Sequence, residues 1–383
     1  MQSLQGMIIG FRFVKIERNG TMKRYARVIG VFLVLMGCAF HLSSAEEAVQ
    51  AIPQGGDGEK DARYLQEIDA LRNSISALRS EIDLMRREMQ KQSTPGNSPV
   101  PLRPALTAWR LPREVSLCGE KVPLEIKSIW ENMDREFLQS LNSEAQVLLW
   151  MKRARRYFPH IEKMLKKMGL PDDLKYLTIT ESSLWPYAVS SANAGGIWQF
   201  IPSTGEKYGM KKNRGVDERF DFFKATEGAL AYLKSLYDEF GTWSVAMAAY
   251  NAGENRVRKE ILLQGVQNYF FLDLPLQTER YVYKIAVAKI ILSDPKQYGF
   301  DLEEKDLYDP LQVDRIQIEL PQPLPIIEIA RAVGVYYKDI KELNLHFSEE
   351  NIPTGTHFLN LPPGTSERFW RFFSAWKRGP GGK

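Results

Sequence analysis

Glu181 is the only charged residue in the stretch TITESSLWPYAVSSANAGGIWQF (residues 178–200), although 26% of the chain is charged. Asp173 and Lys175 precede it, and Glu206 is the next acid. Leu170, Leu174, Leu177 and Glu181 follow at steps of four, three and four, which places the acid on the stripe that a helix buries. A carboxyl there loses hydration of its charged form, so its pKa rises and it stays protonated near neutral pH. That state suits an acid that protonates a glycosidic oxygen. A buried acid held by one backbone donor or an arginine satisfies the same spacing.

Three further segments carry residues suited to sugars. GGIWQF offers backbone freedom at Gly195 and Gly196, then an aromatic ring and an amide, Trp198 and Gln199. Rings stack on the apolar faces of sugars, and amides pair with hydroxyls. SVAMAAYNAG reads as a helix with a small-residue face that delivers Tyr250 and Asn251 at its end, and LPLQTERYVYK opens another helix carrying Tyr281. A glycosidase with two carboxylates needs them about 5–9 Å apart. No acid follows Glu181 before Glu206, so a partner must come from elsewhere; Asp217 and Glu218 are the candidates.

These residues require a scaffold, and the patterning predicts a mainly α one. From 113 to 300, helical patterns follow one another across short turns. In PDDLKYLTITES, Pro171, Asp172 and Asp173 have helix-start chemistry. In DEFGTW, Gly241 ends one helix and Thr242 is placed to cap the next. A smaller α+β region spans 311–364: a strand-like VDRIQIEL, helical patterns at 326–333 and 337–343, and a second strand in THFLNLPPG. The last residues, 365–383, contain SERFWRFFSAWKR, an amphipathic aromatic helix read as a C-terminal tail.

The N-terminal part has a different character. Residues 1–45 read as an upstream extension and a secretory signal: Met22, Lys23, Arg24 and Arg27, then an apolar run at 28–40, and Ser43-Ser44-Ala45 before Glu46. The run is too short to span a membrane. Leu35-Met36-Gly37-Cys38 approximates a lipobox, which would lipidate Cys38 and attach the protein to a membrane. Either reading exports the protein to the periplasm. Within 59–92, Ile68, Leu71, Ile75, Leu78, Ile82, Met85 and Met89 form a heptad seam, with Glu67 and Glu81 placed opposite Arg72 and Arg86. This pattern predicts a coiled coil and a parallel homodimer; a single amphipathic helix is the alternative. Residues 93–112 read as a linker.

Bulk properties exclude several classes. The 383 residues are 44% hydrophobic with a net charge of +4 and no long basic run, so nucleic acid is not an expected partner. Cys38 and Cys118 make no disulfide framework or zinc spacing, and His41, His160, His346 and His357 are scattered. No metal and no cofactor is expected.

The order E-S, G-x-W-Q-F, A-Y-N-A-G, L-P-x-x-T-x-x-Y-V resembles the soluble lytic transglycosylase (SLT) superfamily, with its lysozyme-like, goose-type fold. It is most similar to the membrane-bound lytic transglycosylase D branch, and the likeness runs over about 122–291. The resemblance implies that Glu181 is the single catalytic acid/base and that Ser182 follows it as in the family. It implies that Ile197, Trp198 and Gln199 form the strip binding the muramic-acid side, with Tyr250 and Asn251 as substrate contacts and Tyr281 beside the acid. Gln277 departs from the family, which has a glutamate there. The implied reaction is cleavage of the MurNAc–GlcNAc β-1,4 bond of peptidoglycan with 1,6-anhydro ends. A hydrolase of the same bond and a non-catalytic wall-binding scaffold are the other readings. The segment PLPIIEIARAVGVYYKDIKELNLHFSEENIPTGTHFLNLPPG resembles a degenerate LysM module, which would bind glycan; a ligand-free βααβ cap is the alternative.

Overall fold

The computed structural model describes residue 80 and residues 109–378. The signal, the Cys38 lipobox and the heptads lie outside these residues, apart from Ser80. Every strand and helix from residue 116 onward belongs to one compact unit.

A hairpin of β1 (Ser116–Leu117) and β2 (Glu120–Lys121) leads into α1 (Lys127–Asn142) and α2 (Glu144–Met168). A 3-10 turn at Asp172–Tyr176 then passes into the six-residue α3 (Leu177–Ser182) and, after a long loop, α4 (Pro202–Lys207). The hairpin β3 (Lys212–Asn213) and β4 (Val216–Asp217) precedes α5 (Phe222–Phe240), α6 (Trp243–Ala252), α7 (Glu254–Gln264) and α8 (Leu276–Ser293).

The core of this helical part forms around α6 and α8. Residues 243–249 of α6 are all buried, as are Tyr281, Val282, Tyr283 and the run 285–288 of α8. A helix apolar on all sides is stable only when enclosed. The alanines of α6 let α5 and α8 pack closely on it, and α8 also packs on α1 and α3. Helix α8 thereby brings Tyr281 to the short helix that carries Glu181.

Several expectations are corrected. The stripe 170–181 is not one α-helix, because Asp172–Tyr176 is 3-10. Leu174 and Leu177 are fully buried nonetheless. Thr242 occupies the N-cap position of α6 but makes no side-chain cap, and its hydroxyl is buried without a partner. The Glu120 carboxylate instead accepts from the N–H groups of Trp243 and Ser244, the latter at 3.0 Å. An acid from the first hairpin thus satisfies donors that the sequence assigned to a neighbour. Trp109 and Leu111, read as the end of a linker, pack against the core.

A second core follows. Strand β5 (Asp314–Leu320) pairs antiparallel with β8 (Gly355–Leu361), from Asp314↔Leu361 to Leu320↔Gly355. Between them lie β6 (Leu324–Pro325), α9 (Ile326–Val333), α10 (Tyr337–Leu343) and β7 (Asn351–Ile352). Both helices have the ranges that their sequence patterns predict. The final helix, α11 (Ser366–Arg378), buries Phe369 and Phe373 in the same core. It is part of the module rather than a separate tail, because docking removes its aromatic stripe from water.

The two cores are joined at the β3–β4 hairpin. Val216 sits in the second core, the Asp217 N–H donates to the His346 carbonyl at 2.8 Å, and the Ser348 N–H donates to Gly215 at 3.0 Å. Arg315 of β5 donates to both carboxylate oxygens of Asp221, at 3.0 and 2.9 Å. Asp221 also caps α5, accepting from the N–H groups of Phe223 and Lys224.

Candidate active site

Helix α3 ends abruptly after Glu181. Ser183 and Leu184 both take left-handed φ, +54° and +57°, a conformation that costs energy in residues with a side chain. Two residues of α2 hold the turn. Arg153 donates to the Ser183 carbonyl at 3.0 Å, and the Trp150 indole donates to the Ser183 hydroxyl at 3.2 Å. The strained turn leaves Glu181 in the last turn of its helix, lining a cleft of about 560 Å³.

Burial pushes the Glu181 carboxyl up to about 7, and a hydrogen bond donated by the Tyr281 hydroxyl opposes that rise. The hydroxyls of Tyr281 and Tyr250 are themselves pushed well above the usual tyrosine range, by burial first and then by the charge of Glu181. Both therefore remain protonated donors at neutral pH.

The loop from Ala188 to Phe200 forms another part of the wall. Gly196 has φ +76°, and a Cβ there would lie 2.2 Å from the Arg219 carbonyl. Only glycine fits that approach. Gln199 also has positive φ, +51°, and its amide NH₂ donates to Ala188 and Gly196 at 3.1 and 2.8 Å. Its nitrogen is thus spent on the loop, and its oxygen is the atom left to accept from a ligand. The buried Arg219 guanidinium fastens the loop, donating to the carbonyls of Asn193 and Phe200 at 2.6 and 2.7 Å. Asp217 holds Arg219 in turn, at 2.9 and 2.7 Å.

Glu181, Gln199, Tyr250, Asn251 and Tyr281 all line this one cleft. Ser182, Ile197 and Trp198 do not. The Trp198 indole is fully buried and donates to Thr226 at 3.0 Å, so it cannot stack on a sugar. Its carbonyl accepts from the Tyr250 hydroxyl at 2.8 Å. Ser182 donates to the Ile197 carbonyl at 2.8 Å, tying the acid's helix to the loop. Asn251 accepts from Thr278 at 3.0 Å. Gln277 is exposed on the cleft wall.

Asp217 and Glu218, the candidate second acids, are not among the lining residues. Asp217 is engaged by Arg219, and Glu218 by Lys224 and the Lys211 N–H. The acid that does share the cleft is Glu254, which the sequence reading missed. It opens α7 directly after Gly253 (φ +88°) and accepts from Tyr232 at 2.9 Å. Its own backbone N–H, Tyr232 and Lys207 hold it below the usual carboxylate range. The positive φ that a glycine before an acid permits was the available signal. Among the described residues, no cluster of three or more His, Cys, Asp or Glu side chains is arranged to hold a metal.

Residues 158–269 match the family model of the transglycosylase SLT domain. The chain is 36% identical over 216 residues to membrane-bound lytic murein transglycosylase D of Escherichia coli (strain K12), covering 55% of this chain and 47% of that protein. It is 33% identical over 119 residues to membrane-bound lytic murein transglycosylase C of Actinobacillus succinogenes, covering 27% of this chain and 33% of that one. The chain therefore spans about half the length of the first of these relatives and a third of the second. Among solved structures, the 70 kDa soluble lytic transglycosylase of Escherichia coli is similar at 18% identity and a TM-score of 0.30, over 39% of this chain and 26% of that one.

Proposed function

We propose that the protein is a peptidoglycan lytic transglycosylase that cleaves the β-1,4 bond between N-acetylmuramic acid and N-acetylglucosamine, with Glu181 as its single acid/base. The observation that carries this reading is a carboxyl raised to about 7 by burial, receiving a tyrosine hydrogen bond in a sugar-sized cleft. The SLT-domain match and the likeness to lytic murein transglycosylases support it.

The steps follow from one carboxyl acting twice. Protonated Glu181 gives its proton to the glycosidic oxygen as the bond from the muramic C1 to that oxygen breaks, the electron pair leaving with the oxygen. The substrate's own acetamido oxygen stabilises the electron-poor C1. The C6 hydroxyl oxygen then attacks C1, its proton passes to the Glu181 carboxylate, and a 1,6-anhydro ring closes. No water is consumed and the acid is regenerated. A pKa near 7 serves both directions of transfer. In this scheme Tyr281 steadies the carboxylate between the steps, and Gln199, Tyr250 and Asn251 place the sugars. Gln277 supplies hydrogen bonding without the charge of the glutamate seen in the resembling family.

Hydrolysis of the same bond is the second reading, and Glu254 in the cleft is the observation that favours it. Mass spectrometry of products from purified glycan strands separates the two. Anhydro ends are expected; reducing ends would replace the lyase by a hydrolase, and uncut strands would leave a wall-binding scaffold. Outside the described residues, the proposal is export to the periplasm and a parallel dimer through 59–92. Sedimentation of the mature chain as a monomer at tens of micromolar would refute the dimer. Among the described residues, no helix is long and apolar enough to cross a membrane.

A further inference from the structure

Among the described residues, the charged side chains that line the catalytic cleft are Glu181, Lys207, Glu254 and Lys284. We infer that Lys284 is a specificity-determining residue, whose ammonium receives a carboxylate carried by the substrate beside the bond that breaks. The inference rests on the proposed peptidoglycan substrate and adds a contact within the same cleft.

Three observations carry it. First, Lys284 is the cleft charge without a counterpart. Lys207 lies 4.0 Å from Glu254, which also accepts from the Tyr232 hydroxyl. Glu181 is neutral while it holds the proton it donates. Half-buried Lys284 makes no ion pair, hydrogen bond or ring contact among the described residues. Other cations of α8 hold Glu136 of α1 and Asp173 of the 3-10 turn: Arg280 at 2.6 Å and Lys289 at 2.8 Å. An ammonium that has lost part of its hydration gains most from an anion brought to it.

Second, Lys284 stands beside the acid's partner. Gln277, Tyr281 and Lys284 follow at steps of four and three along α8, and all three line the cleft. Lys284 is one turn beyond Tyr281, about 4.5 Å along the axis, and Tyr281 donates to Glu181. Gln277 gives that face an amide rather than an acid, so it does not cancel the ammonium.

Third, the proposed substrate carries the complementary group. The sugar rings of peptidoglycan are uncharged. Its carboxylates lie on the muramic side, either as the lactyl carboxylate of a bare strand or within an attached peptide. A lysine, a compact point charge on a flexible stem, can meet either.

The test titrates the full chain carrying Glu181→Gln with bare glycan strands and with peptide-bearing strands, each also with its carboxylates converted to amides. Adding Lys284→Met should weaken binding of carboxylate-bearing strands by about fivefold to tenfold. The gap should vanish on amidated strands and narrow as salt is raised. Lys284→Arg in place of Met should keep most of the affinity. Gln277→Glu, at an exposed position on the same face, should reproduce part of the loss. A loss on bare strands assigns the lactyl carboxylate as the ligand, and a loss confined to peptide-bearing strands assigns that of the peptide. Equal affinity with and without the ammonium, or an equal loss on amidated strands, would overturn the inference. If the chain with Glu181 intact cuts no strands while Lys284-dependent binding persists, the catalytic reading fails and the carboxylate contact stands.

Discussion

Replacing Tyr281 by Phe tests the electrostatics of the site directly. The Tyr281 hydroxyl donates to Glu181, and it is the influence that holds the carboxyl down against burial. A hydrogen bond to a charged group contributes about 1.5–3 kcal/mol. At about 1.36 kcal/mol per pKa unit, its loss should raise Glu181 from about 7 by roughly one to two units. No neighbouring hydroxyl can substitute, because Tyr250 already donates to the Trp198 carbonyl at 2.8 Å. The assay is the pH dependence of kcat/KM, which reports the free enzyme. Its alkaline limb, where the acid loses its proton, should move up by that amount while the plateau falls, since a weaker acid transfers its proton less readily. Carbon NMR of the Glu181 carboxyl gives the same shift without relying on activity. A limb and a titration that stay put, or move down, would refute the reasoning.

Glu181→Gln should lower turnover by several orders of magnitude while strand binding persists; turnover within tenfold of wild type would remove Glu181 from the mechanism. The same variant should be the more stable protein at alkaline pH. The raised carboxyl costs stability as pH climbs from its ordinary 4.5 through about 7, up to about 3 kcal/mol, and thermal unfolding at pH 8 and pH 4 should show the gain only at pH 8. His160 works with the opposite sign. Burial first, then Lys163 and Arg315, lower it from 6.5 to about 4, so stability should fall as pH drops across that window by up to about 3 kcal/mol; His160→Phe should flatten the acid limb of a Tm-versus-pH curve. Arg219→Lys, which keeps the charge beside Asp217 but breaks the fork to it and to the two loop carbonyls, should cost about 1–3 kcal/mol and raise KM. Its alkaline limb should keep the wild-type position; a displaced limb would show that the loop also sets the acid.

Local pattern determined much of this protein. The steps from Leu174 to Leu177 to Glu181 placed a carboxyl at the end of a buried stripe, because side chains three apart share a face in the 3-10 turn that holds Leu174 and side chains four apart share one in the α-helix that follows. The alternation in 314–320 and the apolar steps in 326–333 foretold the β5 strand and the α9 helix for the same reason. Gly196 was legible too, since its freedom is a property of the residue. What the sequence could not carry was the identity of partners distant along the chain. Trp198 read as a sugar platform because its type suits one, yet its ring is spent on the core and on Thr226. Thr242 was the obvious cap by adjacency, but Glu120, more than a hundred residues away, reaches the same donors. Asp217 and Glu218 were open as second acids until their ion pairs placed them outside the cleft, and Glu254 entered it instead. Propensity and periodicity act over a few residues and survive translation into three dimensions. Hydrogen bonds and desolvation depend on what folding brings within about 3 Å, and that was decided only when the helices packed around α8.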